Sequence, residues 1–375
     1  MTTRSSQRKS STRALEIARR TLALENAVRD VVSLAEFQDL AVDIVERAAF
    51  DYIDGGAWDE LSLAENETAW LRFRLRPRVL VDVSRIDPST TLLGAPAAFP
   101  VAIAPMAFHG LASLGAEPAS ARAAASAGVP FTLSTMSSRS IEDVAEAAPD
   151  GVRWFQLYTQ ADPGRSRALV ERAATAGYSA IVLTVDLPVL GYRERDRQNG
   201  FDVAAVELGN FSGDEPGPTH KDPGPSLTWD DIATIRTWSS LPLVLKGVMT
   251  AEDARLAVEH GVEAIVVSNH GARQLDRVAA PIDVLEEVVD AVGGRTEIWV
   301  DGGVRRGLDI AIAIALGARG VLVGRPILWA LAAGGQAGVE RALAILREEF
   351  EITLALLGTP TPAAITRDHV ARAAR

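Results

Sequence analysis

Eight short Val/Ile-rich runs, each followed by a turn and an Ala-rich helix-like segment, predict an α/β fold of the (β/α)8 TIM barrel type. Two further observations support it. The runs are continuous in apolar residues rather than alternating, as strands covered on both faces require. Six successive runs, the third to the eighth, also end in polar residues or glycine, and barrels of this type draw their chemistry from the C-terminal ends of the strands. A doubly wound open sheet is the alternative architecture.

In chain order the runs are "VAIAP" (101–105), "PFTLS" (130–134), "RWFQLY" (153–158), "AIVLTVD" (180–186), "LPLVLKG" (241–247), "AIVVSNHG" (264–271), "EIWVDGG" (297–303) and "GVLVGRP" (320–326). The intervening segments carry helix signals. In "DPGRSRALVERAATAGY", Asp162 suits the N-cap, Pro163 the first helical position and Gly177 the end. The longest gap is the loop after the fourth strand. It holds "SGDEPGPTHKDPGPS" (212–226), a predicted mobile loop and candidate lid, and residues 205–226 as a whole are expected to lack fixed structure. Ahead of the barrel, residues 31–73 read as helices that close one end of it, with "SLAEFQDLAVDIVERAAFDYIDGG" stopping at a double glycine. The expected division is a basic tail (1–30), an N-terminal helical segment (31–80), and the barrel with a C-terminal helical segment (81–375).

Composition narrows the function. Of 375 residues, 47% are hydrophobic and 23% charged, which suits a soluble globular protein with a large core. The net charge of −11 argues against a nucleic-acid scaffold. The chain has no cysteine, which excludes disulfides, thiolate catalysis and zinc–sulfur sites. No apolar run approaches the ~18 residues of a membrane span. The first residues, "MTTRSSQRKSSTR", are basic, Ser-rich and free of acids. They read as a disordered tail, with an organelle transit peptide as the alternative, and no apolar core of a secretory signal follows.

The strand ends nominate the chemistry. They carry Gln156 and Tyr158, Thr184 and Asp186, Lys246, then Ser268, Asn269 and His270, then Asp301, Gly302 and Gly303, and finally Gly324 and Arg325. Taken singly, each of these is as readily an ordinary turn residue. His270, one of only five histidines, sits where an apolar run meets a glycine turn. "VDGGVRRG" and "VLVGRP" place paired glycines and the arginines Arg305, Arg306 and Arg325 after the last two strands. Glycine turns there let backbone N–H groups approach a phosphate.

The ordered set "FQLY", "LTVDLP", "LKGV", "SNHGARQLD", "DGGVRRG" and "LVGRP" resembles the FMN-dependent α-hydroxy-acid oxidase and dehydrogenase family. The likeness spans roughly residues 33 to 370, including "FDYIDGGAWDELSLAENETAW" and "TRDHV". It implies an FMN cofactor and oxidation of a small L-2-hydroxy acid to the 2-oxo acid, with oxygen or another electron acceptor. By the resemblance His270 is the catalytic base, since a neutral imidazole takes a proton near working pH. Asp186 orients that histidine. Arg193 and Arg273 grip the substrate carboxylate, where a guanidinium pair fixes orientation as well as charge. Tyr52 and Tyr158 bond the carboxylate and the reacting hydroxyl. Lys246 lies beside the electron-accepting end of the flavin. Ser134, Gln156 and Thr184 contact the ring edge, and Ser268 is a further cofactor-binding residue. Ala104, Pro105, Met106 and Ala107 flank its reactive nitrogen. Asp301 and Arg305 meet the ribityl and phosphate groups, Gly303, Gly324 and Arg325 form the phosphate cradle, and Gly302 is a further cofactor-binding residue. The resemblance further implies a homo-oligomer, tetramer or octamer; a cytoplasmic location with no metal, nucleic-acid or membrane partner is also expected.

Departures from the pattern bear on specificity. Met136 stands where glycolate-type members carry tryptophan, so a flexible thioether replaces a rigid ring and larger apolar α-substituents fit better than glycolate. Met106 stands where many members have threonine, and Tyr192 where many have arginine. No haem-domain sequence is present, and the final "ARAAR" is not a peroxisomal signal. Alternatives within the family are a quinone-linked dehydrogenase and a decarboxylating monooxygenase. Outside it stand a different FMN barrel, such as an isomerase, and a non-catalytic flavin-binding scaffold. Of the other histidines, His109 is expected to play a supporting or purely structural role and His260 to meet a helix end. His220 and His369 are expected at the solvated surface.

Overall fold

A computed structural model describes residues 28–211 and 227–373. The basic tail as far as residue 27, the candidate lid 212–226 and His220 lie outside the described residues. Eight parallel strands close into a barrel: β4 (Val101–Met106), β5 (Phe131–Ser134), β6 (Arg153–Leu157), β7 (Ala180–Thr184), β8 (Leu243–Val248), β9 (Ala264–Val267), β10 (Glu297–Val300) and β11 (Gly320–Val323), with β11 pairing back onto β4. Each corresponds to one of the eight apolar runs, and helices run between them. Asp162 caps the helix Pro163–Thr175 by accepting from Gly164 N at 2.8 Å.

The pleat sorts side chains into two sets. Alternate positions such as Val101, Ile103, Phe155, Ile181, Leu183, Ile298 and Val300 face the helices, and those between them, such as Ala102, Trp154, Ala180, Val182, Val244, Trp299 and Leu322, fill the barrel. Ala102, Ala180 and Ala264 leave room for two large indoles, Trp154 and Trp299, whose ring centroids lie 4.6 Å apart. This interior is a packed core that ends below the C-terminal mouth.

The sequence pattern did not anticipate the short strands. β2 (Thr90–Leu92) and β3 (Ala95–Ala97) form a hairpin that buries Leu92 against the barrel interior, with Leu93 N donating to Glu297 Oε2 at 3.1 Å. The hairpin thereby plugs the N-terminal end. β1 (Phe73–Leu75) and β12 (Val370–Arg372) pair antiparallel. His369, beside β12, is buried rather than solvated. Its Nδ1 accepts from Thr366 N at 3.1 Å and helps to form the turn that leads into that strand. Residues 205–211 are likewise fixed. Gly209 N donates to Ser137 O at 2.9 Å, and the buried Asn210 bonds Thr135 O, Ser137 Oγ and Ile141 N. Side-chain capping holds these residues without a helical or strand period.

Three N-terminal helices, Leu34–Ile44, Arg47–Asp54 and Leu61–Thr68, lead to the C-terminal mouth. Asn66 and Asn269 exchange amide bonds of 2.9 and 2.8 Å. Ser62 N donates to Asp276 Oδ1 at 2.8 Å, so a carboxylate from the far end of the chain caps the third helix. Trp70 Nε1 donates to Gly302 O at 3.0 Å. Asn66→Ala is expected to remove both amide bonds to the buried Asn269 and cost ~1–3 kcal/mol of stability. Denaturant unfolding of the purified protein measures this, and an unchanged midpoint would show that the amide pair contributes nothing.

Candidate active site

The interior layer next above the tryptophans is polar. Strand register aligns Ser134 with Gln156 and Thr184 with Lys246. The side chains then bond around the barrel: Ser134 Oγ to Gln156 Oε1 (3.1 Å), Gln156 Nε2 to Thr184 Oγ1 (3.0 Å), and Lys246 Nζ to Ser268 Oγ (2.8 Å). Lys246 also pairs with Asp301 at 3.3 Å. Alternation that buries Trp154 or Val244 thus carries a donor or acceptor to the mouth two residues later.

Above this layer stands His270. The β9 loop turns through three successive left-handed residues, His270, Gly271 and Ala272. At Gly271, φ +61°, a Cβ would lie 2.8 Å from Arg325 Nη1, so a side chain there would displace that guanidinium. Asn269 Oδ1 accepts from Ala272 N at 3.1 Å and fixes the turn. His270 Nδ1 lies 2.8 Å from Asp186 Oδ1. A carboxylate only accepts, so Nδ1 carries the proton and Nε2 keeps its lone pair. Tyr158 OH stands 3.3 Å from Nε2 and can donate to it. Burial lowers the His270 pKa against the opposing pull of Asp186, so the ring is neutral near pH 7. Burial works against charge on Asp186, yet His270 and Lys246 outweigh it and hold the carboxyl below its usual range. Burial, with Asp186 nearby, raises the Tyr158 pKa and keeps that phenol protonated.

Two positions without an assigned role set this geometry. Gly247, in "LKGV", has φ +113°, and a Cβ there would lie 2.6 Å from Asp186 Cγ. A glycine inside a strand pattern is the sequence signal of such a close approach. Gln274 donates to Asp186 O (3.1 Å) and Val189 O (2.8 Å) and accepts from Gly191 N (3.2 Å), which ties down the loop carrying Asp186 and Arg193. Nothing in the local sequence separates it from an ordinary loop glutamine.

Beside the histidine lie two arginines and a tyrosine. Arg193 Nε donates to Arg273 O at 3.2 Å, and Arg273 Nη1 donates to Tyr52 O (2.6 Å) and Gly55 O (2.9 Å). The Arg273 guanidinium lies 4.8 Å from the Tyr52 ring centroid. Burial, and then the like charge of Arg273, lower the Arg193 pKa to about 10. Two cations so placed favour an anion between them.

The opposite arm of the same cavity, about 610 Å³ in all, runs over Ala104, Pro105, Met106 and Ala107 to Gly302, Gly303, Arg305, Gly324 and Arg325. Gly302 and Gly303 have φ +86° and +80°, and a Cβ on Gly303 would meet Asn66 O at 1.8 Å. Arg305 donates to Val304 O and stacks 5.0 Å from the Trp329 ring centroid, with its other nitrogen on Glu67. Arg325 donates to Asp54 O (3.0 Å), Gly55 O (2.7 Å) and Gly271 O (2.9 Å), joining the N-terminal segment to the His270 turn. Burial, then Arg273, lower its pKa to about 9. This arm fits a flat heteroaromatic ring bearing a phosphorylated side chain. Donors and acceptors line the ring edge, and glycine turns and arginines lie at the far end. Asp301 Oδ1, buried and without a hydrogen-bond partner among the described residues, suits a ligand hydroxyl.

The remaining histidines lie elsewhere. His109 is fully buried, with Nδ1 2.9 Å from Ser120 Oγ. His260 ends the helix Ala251–Glu259 and stacks on Trp229 at 5.4 Å. Arg306 pairs with Glu349 at 2.9 Å, away from the cavity. Asp186→Asn is expected to lower the His270 pKa further, because the carboxylate's opposing charge is lost. NMR titration of the imidazole checks this. A higher pKa in the variant would contradict the assigned electrostatics.

Comparisons with known proteins agree with this geometry. Residues 41–372 match the family described as FMN-dependent dehydrogenase. The chain is 48% identical over 349 residues to an L-lactate oxidase of Nostoc sp., covering 88% of this chain and 96% of that protein. It is 46% identical over 355 residues to a glycolate oxidase of Spinacia oleracea, covering 91% and 96%. A solved structure of a mandelate oxidase superimposes with a TM-score of 0.86 at 43% identity, covering 92% of this chain and 98% of that one.

Proposed function

The chain belongs to the FMN-dependent dehydrogenase family, and from that premise we propose that it oxidises an L-2-hydroxy acid to the 2-oxo acid, with oxygen as acceptor and hydrogen peroxide as the second product. The cofactor is FMN, which when bound supplies the two-electron acceptor. One observation carries the reading. The Nδ1–Asp186 bond makes Nε2 of His270 the accepting nitrogen, and it faces Tyr158 OH in a cavity where Arg193 and Arg273 converge.

The roles follow from position. Arg193 and Arg273 hold the substrate carboxylate, and Tyr52 packs beneath the Arg273 guanidinium. Tyr158 and His270 Nε2 meet the hydroxyl-bearing carbon. His270 takes the proton released as the substrate is oxidised, and Asp186 stabilises the imidazolium. Lys246, held by Ser268 and Asp301, places a positive charge at the ring edge with Ser134, Gln156 and Thr184. Gly302, Gly303, Gly324, Arg305 and Arg325 hold the phosphate arm. Met136 borders the substrate end.

A cytoplasmic location and a homo-oligomer, tetramer or octamer, belong to the same proposal. Val79, Leu80, Ile352 and Leu356 are large apolar residues left exposed, a surface that suits subunit contact. Among the described residues no helix is long and apolar enough to cross a membrane.

Mass analysis of the released cofactor is expected to return FMN, and recovery of FAD would count against the phosphate cradle. Under anaerobic conditions a 2-hydroxy acid is expected to bleach the bound flavin. His270→Asn should keep the flavin and slow its bleaching at least ~10²-fold, and near-normal reduction would remove His270 from its role. In air, one peroxide per 2-oxo acid is expected, and a deficit of peroxide would point to another acceptor.

A further inference from the structure

Residues 54–60, between the second and third N-terminal helices, supply no side chain to the roles above. Yet four functional segments bond to their backbone. Arg273 Nη1 donates to Gly55 O at 2.9 Å, and Arg325 donates to the same oxygen at 2.7 Å and to Asp54 O at 3.0 Å. One carbonyl thus serves an arginine of the carboxylate clamp and an arginine of the phosphate arm. Ala57 N donates to Ala272 O at 2.9 Å, on the His270 turn, and Trp58 N donates to Tyr192 O at 2.8 Å, beside Arg193.

The chain does not adopt this turn unaided. Trp58 and Glu60 are both left-handed, with φ +48° and +58°. Bulky residues persist in that conformation only where their surroundings hold them. A clasp of side chains does so. Glu60 Oε1 accepts from Gly56 N at 2.8 Å, and its Oε2 accepts from Arg195 Nη2. The other arm of the same guanidinium, Nη1, lies 3.2 Å from Asp54 Oδ2 and 3.6 Å from Asp51 Oδ1. Arg195 therefore spans the turn from its first residue to its last. It also lies two residues after Arg193, in the helix Glu194–Asn199. Asn199, at the far end of that helix, donates to Asp51 Oδ2 at 2.8 Å. The helix is fastened at both ends to the helix Arg47–Asp54, which carries Tyr52. A lone exposed ion pair contributes little. A planar fork shared among three carboxylates fixes a geometry.

We propose that Arg195 and Glu60 are positioning residues for the substrate carboxylate, which lock the 54–60 turn and with it Arg193, Arg273 and Tyr52 in the arrangement that receives the anion. The proposal rests on the carboxylate-clamp reading. Neither residue lines the cavity, so both act through the backbone atoms named above. His270 is held separately, by Asp186 and by the Asn269 turn. Loss of the clasp therefore weakens binding of the carboxylate more than it slows the chemical step, a loss that falls on KM rather than kcat.

The test uses FMN-saturated enzyme and the best substrate among glycolate, lactate and mandelate. Steady-state kinetics give KM and kcat, and a titration with oxalate, an unreactive dianion, followed by flavin absorbance gives a Kd. Arg195→Lys keeps the charge but loses the fork. It is expected to raise KM and the oxalate Kd ~10-fold while kcat changes less than ~threefold. Glu60→Ala is expected to do the same, although removing a negative charge would by itself tighten an anion. Glu60→Gln keeps an accepting oxygen and should return both values to near wild type. If Glu60→Ala fails to fold, Arg195→Lys and Glu60→Gln decide. Wild-type KM and oxalate Kd in Arg195→Lys, or a loss confined to kcat, overturns the clasp while leaving the oxidase reading intact. Failure of all three acids to bleach the wild-type flavin overturns the oxidase reading, and the clasp's role with it.

Discussion

Closure of the eight-stranded sheet imposes the constraint on which the rest of the molecule depends. Every second residue of every strand must point into a space only a few side chains wide. Lower down, that space is filled by Trp154 and Trp299 against alanines. At the mouth the same alternation delivers Ser134, Gln156, Thr184, Lys246 and Ser268 to one level, where they satisfy one another. The packed core and the polar floor of the site are consecutive turns of a single geometric rule. A shift of one residue in any strand would send its polar end residue into the helices and an aliphatic one into the site.

The buried charges of the site are arranged so that each has a defined counterpart. Lys246 lies between Ser268 and Asp301, and Asp186 holds His270. Among the described residues, Arg193, Arg273 and Arg325 are the exception. Backbone carbonyls satisfy many of their donors, but carbonyls do not neutralise charge, and Arg193 and Arg325 are pushed down to about 10 and about 9. An excess of buried positive charge is costly to fold. It is intelligible where anionic groups of substrate and cofactor are to be received.

Much of this was legible locally. The eight strands, the helix cap at Asp162 and the polar strand ends are properties of short stretches, because burial on both faces selects continuous Val/Ile runs and a mouth selects polar ends. Other features were not legible. The hairpin Thr90–Ala97 has no run long enough to announce it, and its place is set by the barrel bottom it plugs. His369 reads as a surface histidine beside charged neighbours, yet folding back onto Thr366 buries it. Asn66, Gln274 and Glu117 look like ordinary helix or loop residues. Each acts across a distance in the chain that no local pattern encodes: Asn66 on Asn269, Gln274 on Asp186, and Glu117 on Ser138.

The sequence by itself determined which residue types reach the mouth and in what order, since strand period and turn chemistry are short-range properties. Only the tertiary structure decided the distances among them. Among these are the 2.8 Å between His270 and Asp186, the approach of Asp186 that Gly247 permits, and the joining of the Tyr52 helix to the Arg273 loop. The physical reason is that these contacts join segments brought together only when the barrel closes. Their strength depends on burial and angle, which come into existence with the fold.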